Sequence, residues 1–272
     1  TFSSQLFHKS DSRNYFRMGL IADLHHIQYQ GKQYQEDPGR YYQYMDGKGY
    51  LGVGRVYGEW QHRFSDQLQL TSGLHASWLM LNNSFALEPR MGLRYTFLPG
   101  QTISLGAGLH SQSQLKAVYF MQEMSDTIAI GYRKSNENLD LSRSFHLVSG
   151  YDRLMGNNHR IRLEAYLQEL YNIPVTPDVP SFSMLNTGGD FIFWAFHDML
   201  NQGRGRNYGL ELTIEKFLSQ GFYYLITASV FDSKSTGYNN IWLNTAFNNN
   251  YIFNVLGGYE WSLGKRSLLQ VD

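Results

Sequence analysis

Hydrophobic and polar residues alternate strictly along three consecutive segments between Gln67 and His110. In Ser84 to Phe97 one parity is wholly apolar, whereas the other carries the three charges of Glu88, Arg90 and Arg94. Side chains in a strand alternate faces, so each segment has one continuous apolar face. Strands this long exceed the usual strands of a soluble sandwich and are typical of a membrane-spanning barrel, whose apolar face meets lipid. We therefore predict an all-β, antiparallel up-and-down transmembrane β-barrel.

The connections between the predicted strands alternate in length. Short turns are predicted at 65–66, 98–100, 156–158, 219–221 and 264–266. Between them lie 26–49, 82–83, 111–138, 173–204 and 232–240, all long except the second. Such alternation is typical of periplasmic turns and extracellular loops, and it indicates about ten full strands with a piece of a strand at each end. We expect each strand to pair with its sequence neighbour.

Composition narrows the class of protein only slightly. The 272 residues have a formal net charge of 0, no cysteine and 15% aromatic residues. The neutral balance gives no argument for a nucleic-acid partner, and the lack of cysteine excludes disulfides and thiolate metal sites. No run of residues approaches the length and apolarity of a transmembrane helix.

Neither end of the sequence has the features of a complete outer-membrane barrel. Residues Thr1 to Lys9 lack the pattern of a signal peptide, and Leu268 to Asp272 has the pattern of the middle of a strand. We expect an interior part of a longer protein, and hence an open, curved half-wall whose first and last strands are unpaired.

Several stretches resemble the barrel of a TonB-dependent outer-membrane receptor, of the Bacteroidota kind with a carboxypeptidase-like regulatory domain. The stretches are LEPRMGLRY (87–95), ISLGAGLHSQ (103–112), LEAYLQELYNIPV (163–175), NYGLELTIEK (207–216), FYYLITAS (222–229) and NNNYIFN (248–254). The resemblance implies a barrel of about 22 strands. Residues 1–272 would then be part of the barrel domain, with the plug and the N-terminal regulatory domain outside the sequence.

The resemblance also implies a function. It predicts ligand binding and TonB-energised import across the outer membrane of a Gram-negative bacterium, without enzymatic activity, cofactor or metal. The implied partners are the lipid bilayer, the protein's own plug, the TonB–ExbB–ExbD complex acting through the missing N-terminal part, and a surface lipoprotein. Two alternatives remain: a barrel enzyme of the phospholipase type, using Ser144, His146 or Ser149, and an autotransporter or secretion barrel.

Strand parity predicts which side chains face the lumen and which face lipid. The charged lumen residues are expected to pair with one another and to contact the plug; they are Glu88, Arg90, Arg94, Arg162, Glu164, Glu211, Glu215 and Glu260. An acid–base pair among them is the functional alternative. An exposed outer belt is predicted from Trp60, Phe64, Trp78, Phe97, Tyr208, Tyr259 and Trp261. Pro89, which lacks an N–H, predicts a bulge or a break in its ladder.

Aromatic residues are concentrated in two long connections. Residues 31–49 and 181–200 are expected on the same extracellular side, because each follows an ascending strand. We predict ligand contacts from Tyr41, Tyr42, Tyr44, Phe193 and Trp194. The alternative is that these aromatic residues pack the loops together or anchor them at the membrane interface. His25 and His26 are adjacent in a strand and face opposite ways, so they are not expected to chelate a metal together.

Overall fold

The computed structural model describes residues 1–36, 39–125, 131–187, 196–264 and 266–272. Within this part of the chain the strands are β1 (Phe2–Lys9), β2 (Asn14–Gln35), β3 (Arg40–Arg63), β4 (Leu68–Leu79), β5 (Ser84–Leu98), β6 (Gln101–Gln112), β7 (Glu123–Ser125), β8 (Gly131–Arg133), β9 (Ser142–Met155), β10 (His159–Val175), β11 (Leu200–Ser219), β12 (Phe222–Thr236), β13 (Trp242–Asn244), β14 (Tyr251–Ser262) and β15 (Leu268–Val271). Two short 3₁₀ helices span Lys116–Phe120 and Met184–Asn186.

The strands form an antiparallel up-and-down sheet, as the sequence predicts. The 13-stranded sheet has the order β1-β2-β3-β4-β5-β6-β9-β10-β11-β12-β14-β15, with β13 paired to β12, and β7 and β8 form a separate hairpin. Within the described residues β1 and β15 each have one neighbour, so the sheet is open, as expected. Neither 3₁₀ helix is long and apolar enough to cross a membrane.

The sheet has one apolar face and one polar face. Leu93 lies opposite Leu70 on β4 and opposite Leu105 on β6, so the apolar parity is continuous from strand to strand. Leu93 and Leu105 are exposed and Leu70 is partly buried; further exposed side chains of this outer face are Leu20, Val56, Phe85, Met91, Leu163, Leu210, Val230 and Phe253. On the opposite, inner face Arg17 pairs with Glu59 at 3.2 Å and Arg55 pairs with Asp23 at 2.7 Å.

The prediction of a long loop at 26–49 is wrong. β2 and β3 remain paired up to Gln35 and Arg40, with one register shift beside Gly31, and they form an extension of the β2–β3 hairpin. β4 ends at Leu79, which pairs with Val53, so this extension rises beyond the neighbouring strand. Most of its residues are polar, but Ile27 and Met45 are buried in one core with Phe120 and Met121, so ladder hydrogen bonds and packing together hold these strands.

Other predicted boundaries also move. β10 continues to Val175 and β11 begins at Leu200, which shortens the predicted 173–204 connection. β12 runs to Thr236, past the predicted loop start at 232. The last long strand begins at Tyr251 rather than Trp242, since residues 242–244 form β13 and fold back onto β12.

The predicted outer belt is exposed at five of its seven positions: Phe64, Trp78, Tyr208, Tyr259 and Trp261. Trp60 and Phe97 are instead partly buried. The Trp60 ring stacks on Phe16 at 6.5 Å, and its indole N–H donates to Asn14 Oδ1 at 2.9 Å. Phe97 stacks on Tyr151 at 6.4 Å. Cross-strand ring contacts thus cover these two side chains.

Pro89 marks the predicted break in a ladder. β5 pairs with β4 without interruption, and Pro89 itself lies opposite Leu74. The pairing between β5 and β6 reaches only Arg90 and Gly108, the step next to the proline. Since proline has no N–H to donate, the ladder ends there, and the last residues of β6 separate from β5.

Candidate functional site

The end of the sheet that carries the long connections has an apolar inner face. We call the described parts of two connections, residues 113–125, 131–141, 176–187 and 196–199, the loop cap. Strand residues and loop-cap residues form one buried core there; its main members are Ile27, Leu51, Leu79, Ala86, Val118, Tyr119, Phe120, Met121, Leu139, Leu141 and Met199. The loop cap therefore folds inward and packs against the sheet.

Tyr119 lies at the centre of this core. Its side chain is fully buried, and its hydroxyl accepts the backbone N–H of Gln114 at 3.1 Å. Burial raises the pKa of the Tyr119 phenol to about 12, because the phenolate would lose its hydration. The phenol is accordingly neutral below about pH 12 while the loop cap is closed.

Asn136 links separate segments of the loop cap. Its fully buried amide donates to the carbonyls of Val118 at 3.1 Å and Phe196 at 2.7 Å, and it accepts the Met199 N–H at 3.0 Å. At the β4–β5 turn, the Asn82 amide donates to the carbonyl of Leu139 at 2.7 Å. The Asn136 bonds hold the two halves of the loop cap together, and the Asn82 bond attaches the loop cap to the strands.

An open cavity of about 1000 Å³ lies between the loop cap and the inner faces of β9 and β10. A row of uncharged polar side chains forms part of its wall. The rings of His110 and His146 are 4.4 Å apart, and His146 Nε2 lies 2.8 Å from both Ser144 Oγ and Gln168 Nε2. Gln168 in turn accepts the Asn207 amide at 2.8 Å. The row presents donors and acceptors in fixed positions to the cavity.

Ser144 and His146 form a hydrogen-bonded pair, as a hydrolase would need, but their surroundings lack the rest of such a site. Within the described residues no carboxylate bonds to His146, and Gln168 competes for the same ring nitrogen. Both side chains are on the inner face, and Ser149 lies on the other parity, opposite Ala165. The pair therefore behaves as one link of the polar row.

The His25–His26 pair is divided by the sheet, as expected from parity. The His26 ring packs on Tyr50 at 5.2 Å. Among the described residues no three His, Asp or Glu side chains are grouped to hold a metal ion.

Among the predicted lumen charges, Glu88 and Arg90 are brought together. Glu88 is 2% exposed, and its carboxylate accepts hydrogen bonds from Arg90 at 2.6 Å, Ser111 at 2.5 Å and Ser77 at 3.3 Å. His75 Nδ1 lies 3.1 Å away. Ser111 reaches this carboxylate from the part of β6 that has separated from β5 beyond Pro89.

The other predicted lumen charges do not converge on one place. Glu164 pairs with Arg162 at 2.6 Å, whereas Glu215 lies opposite Arg160 in the β10–β11 register. Glu211 faces Glu164 across the same ladder, and Arg94 lies opposite Ser104. The charges of the inner face are therefore spread along the wall, and only some of them form local ion pairs.

The predicted ligand-contact aromatics have different surroundings. Tyr41 is 69% exposed at the hairpin tip, with its ring 5.3 Å from Tyr34. Tyr44 lies at the register shift and packs over Gly31, where a Cβ would come within 2.5 Å of its ring. The Tyr42 side chain, Phe193 and Trp194 lie outside the described residues.

The described parts of segments 31–49 and 181–200 lie at the same end of the sheet, as predicted. Met45 of the hairpin bridges to Met121, and the loop cap continues from there to Phe196, whose ring meets Phe182 at 4.7 Å. Sequence reasoning missed the row formed by His146, Gln168 and Asn207. Their shared inward parity was visible, but their alignment depends on register across three strands, which no local pattern reports.

Comparison with solved structures gives matches for the fold. The chain resembles the siderophore receptor PirA from Pseudomonas aeruginosa (TM-score 0.63, 13% identity, 98% of this chain and 44% of that one). It also resembles the ferric yersiniabactin uptake receptor FyuA from Yersinia pestis (TM-score 0.66, 11% identity, 98% and 40%). A third match is the RagAB peptide importer (TM-score 0.54, 11% identity, 86% and 29%).

These neighbours are TonB-dependent outer-membrane receptors, and at such low identity the likeness establishes the fold alone. The chain spans less than half the length of each of the three. No family model and no curated protein matches the sequence.

Proposed function

We propose that the chain is part of the β-barrel domain of a TonB-dependent outer-membrane receptor of the Bacteroidota kind, which binds a ligand at the cell surface and imports it. In this proposal the long connections are extracellular. A plug fills the lumen against the inner-face charges, and TonB–ExbB–ExbD supplies energy through an N-terminal part outside this sequence. A surface lipoprotein that covers the loop end belongs to the same proposal.

The two-faced sheet is the observation that carries the proposal. Its outer face is continuously apolar, with exposed Leu93, Met91 and Val56, and this suits hydrocarbon but not water. Its inner face is charged, and at the loop end a closed cap stands over a cavity. A wall with these two faces suits a barrel whose lumen a polar ligand enters from the loop end.

The ligand contacts proposed for this receptor are the aromatic side chains of the loop end. Tyr41 is exposed and available for stacking, and we include Tyr42, Tyr44, Phe193 and Trp194 in the same proposal. Glu88, Arg90, Arg94, Glu164, Glu211 and Glu215 are proposed as the wall that contacts the plug.

Fractionation of cells that express the full-length receptor tests the proposal. We expect the protein in the outer membrane, migrating faster on gels when unheated. Uptake of its ligand should cease in a strain without TonB and return when TonB is restored. A protein found in the soluble fraction, or uptake that is unchanged without TonB, would contradict the proposal.

A further inference from the structure

The cavity beneath the loop cap has an unbalanced charge. Among the described residues, two cationic residues line it, Lys116 of the first 3₁₀ helix and Arg143 of β9, and no aspartate or glutamate does. Carboxylates occur close by, but they are committed elsewhere: Glu88 to Arg90, His75 and Ser111, and Asp140 to Arg143 at 3.4 Å.

Lys116 has no ion pair or hydrogen bond to any described residue, although its side chain is partly buried. Arg143, by contrast, already pairs with Asp140 at 3.4 Å. One of its terminal nitrogens donates to the Phe85 carbonyl at 3.0 Å, while its Nε is buried without a partner. Among the described residues that line the cavity, Lys116 is thus the cation without a counterion, and an anionic group brought by a ligand would supply one.

The remaining polar wall is uncharged. His110, Ser144, His146 and Gln168 offer donors and acceptors suited to hydroxyl or amide groups rather than to further charges. The volume of about 1000 Å³ lies at the upper end of the range of about 300–1,000 Å³ for small-molecule sites. The bonds of Asn136 and the Tyr119 core hold the roof in place, so the site is formed before the ligand arrives.

We propose that this cavity binds a small organic acid: a molecule with one carboxylate, which Lys116 receives, and with hydroxyl or amide groups that the histidine–glutamine row receives. This inference rests on the proposed function and specifies the ligand class of that receptor. The carboxylate could belong to an acidic sugar or to the C-terminus of a short peptide, since both combine one acid with neutral hydrogen-bonding groups.

Calorimetric titration of the full-length receptor in detergent distinguishes these cases. The four probes are galacturonic acid, its methyl ester, triglycine and triglycine amide. We expect the acid member of one pair to bind at least about tenfold more tightly than its neutral partner, a difference of about 1.4 kcal/mol. The pair that binds identifies the source of the carboxylate.

Two lysine variants locate the interaction. Lys116→Met should remove the preference for the acid, whereas Lys48→Met, which changes an exposed lysine of the hairpin, should leave it intact. Gln168→Leu should weaken both members of the binding pair. Equal binding of acid and neutral probes, no binding of either acid, or an unchanged preference in Lys116→Met would each overturn the inference. Outer-membrane location and TonB-dependent uptake, measured on the same receptor, report separately on the proposed function.

Discussion

Leu93 and Arg94 are adjacent in sequence but have opposite surroundings. Leu93 lies within the apolar outer face between Leu70 and Leu105, whereas Arg94 belongs to the inner face opposite Ser104. The same one-residue alternation extends through the long strands of the sheet. Within the apolar band of the sheet, a charge is therefore tolerated on the inner parity and rejected on the outer parity.

Leu93→Arg should impair assembly of the barrel. An arginine on the lipid-facing side costs roughly 2–4 kcal/mol near the bilayer midplane. We expect lower outer-membrane levels and loss of the heat-modifiable band on gels. As the matched control, Ser229→Arg places an arginine on the inner face opposite Glu211 and should assemble normally. Normal levels of the Leu93 variant would show that the assignment of faces is wrong.

Tyr119 gives the loop cap a dependence on alkaline pH. The closed cap holds the phenol neutral with a pKa of about 12, while the ordinary value of 10.0 applies once the loop opens. Below pH 10 both states keep the proton and closure is fully stabilised. Between pH 10 and 12 only the open state loses its proton, so closure weakens by up to about 3 kcal/mol in total.

Proteolysis of the loop cap should therefore accelerate as pH rises above 10, because cleavage follows the population of the open state. Tyr119→Phe cannot ionise and should remove this acceleration, even if the loss of the Gln114 hydrogen bond raises its rate at neutral pH. An identical pH profile in the two proteins would disprove the role of the phenol. A protease that is itself stable at high pH is required for the measurement.

At the scale of elements, the loop cap depends on a few buried polar groups. Asn136→Ala would leave the carbonyls of Val118 and Phe196 and the N–H of Met199 without their partner. Each unsatisfied buried group costs about 1–3 kcal/mol. We expect faster cleavage within residues 113–141 at neutral pH, by about tenfold or more. Asn249→Ala changes an exposed asparagine of a neighbouring connection and should leave cleavage unchanged.

Two tyrosines of the β2–β3 hairpin are expected to have different roles, one in ligand contact and one in packing of the hairpin. Tyr41 is exposed at the tip, whereas Tyr44 packs over Gly31 beside the loop cap. If the tip contacts ligand, Tyr41→Ser should reduce uptake by intact cells while surface expression stays normal. Tyr44→Ser should instead loosen the hairpin and expose it to protease. The triple change of Tyr41, Tyr42 and Tyr44 to serine with undiminished uptake would exclude ligand contacts by all three.

At the scale of the whole molecule, the open sheet exposes two edges. β1 and β15 present unpaired N–H and C=O groups, which cannot persist in hydrocarbon. We expect the 272-residue chain, refolded by itself in detergent, to associate through these edges into oligomers visible by analytical ultracentrifugation. A monodisperse, heat-modifiable monomer would show that these residues close a barrel without further strands.

The sequence by itself determined the class of fold and the facing of the strands. Alternation with a period of two is a local property, so the sequence alone shows which face of the sheet Leu87, Glu88 and their neighbours occupy. The alternation of short turns and long connections was equally local, and it specified pairing between consecutive strands. Pro89 indicated where a ladder breaks because its missing N–H acts at its own position.

The tertiary structure alone decided where strands end above the apolar band and what the connections enclose. Residues 26–49 carry no apolar periodicity, and the hairpin extends there through ladder hydrogen bonds and through the burial of Ile27 and Met45 against the loop cap. Strand register and the inward folding of the loop cap together decide three features of the site. They are the burial of Glu88, the contact between the His110 and His146 rings, and the cavity below Lys116. Such long-range contacts arise from packing between segments that are distant in sequence, so short-range sequence patterns cannot predict them.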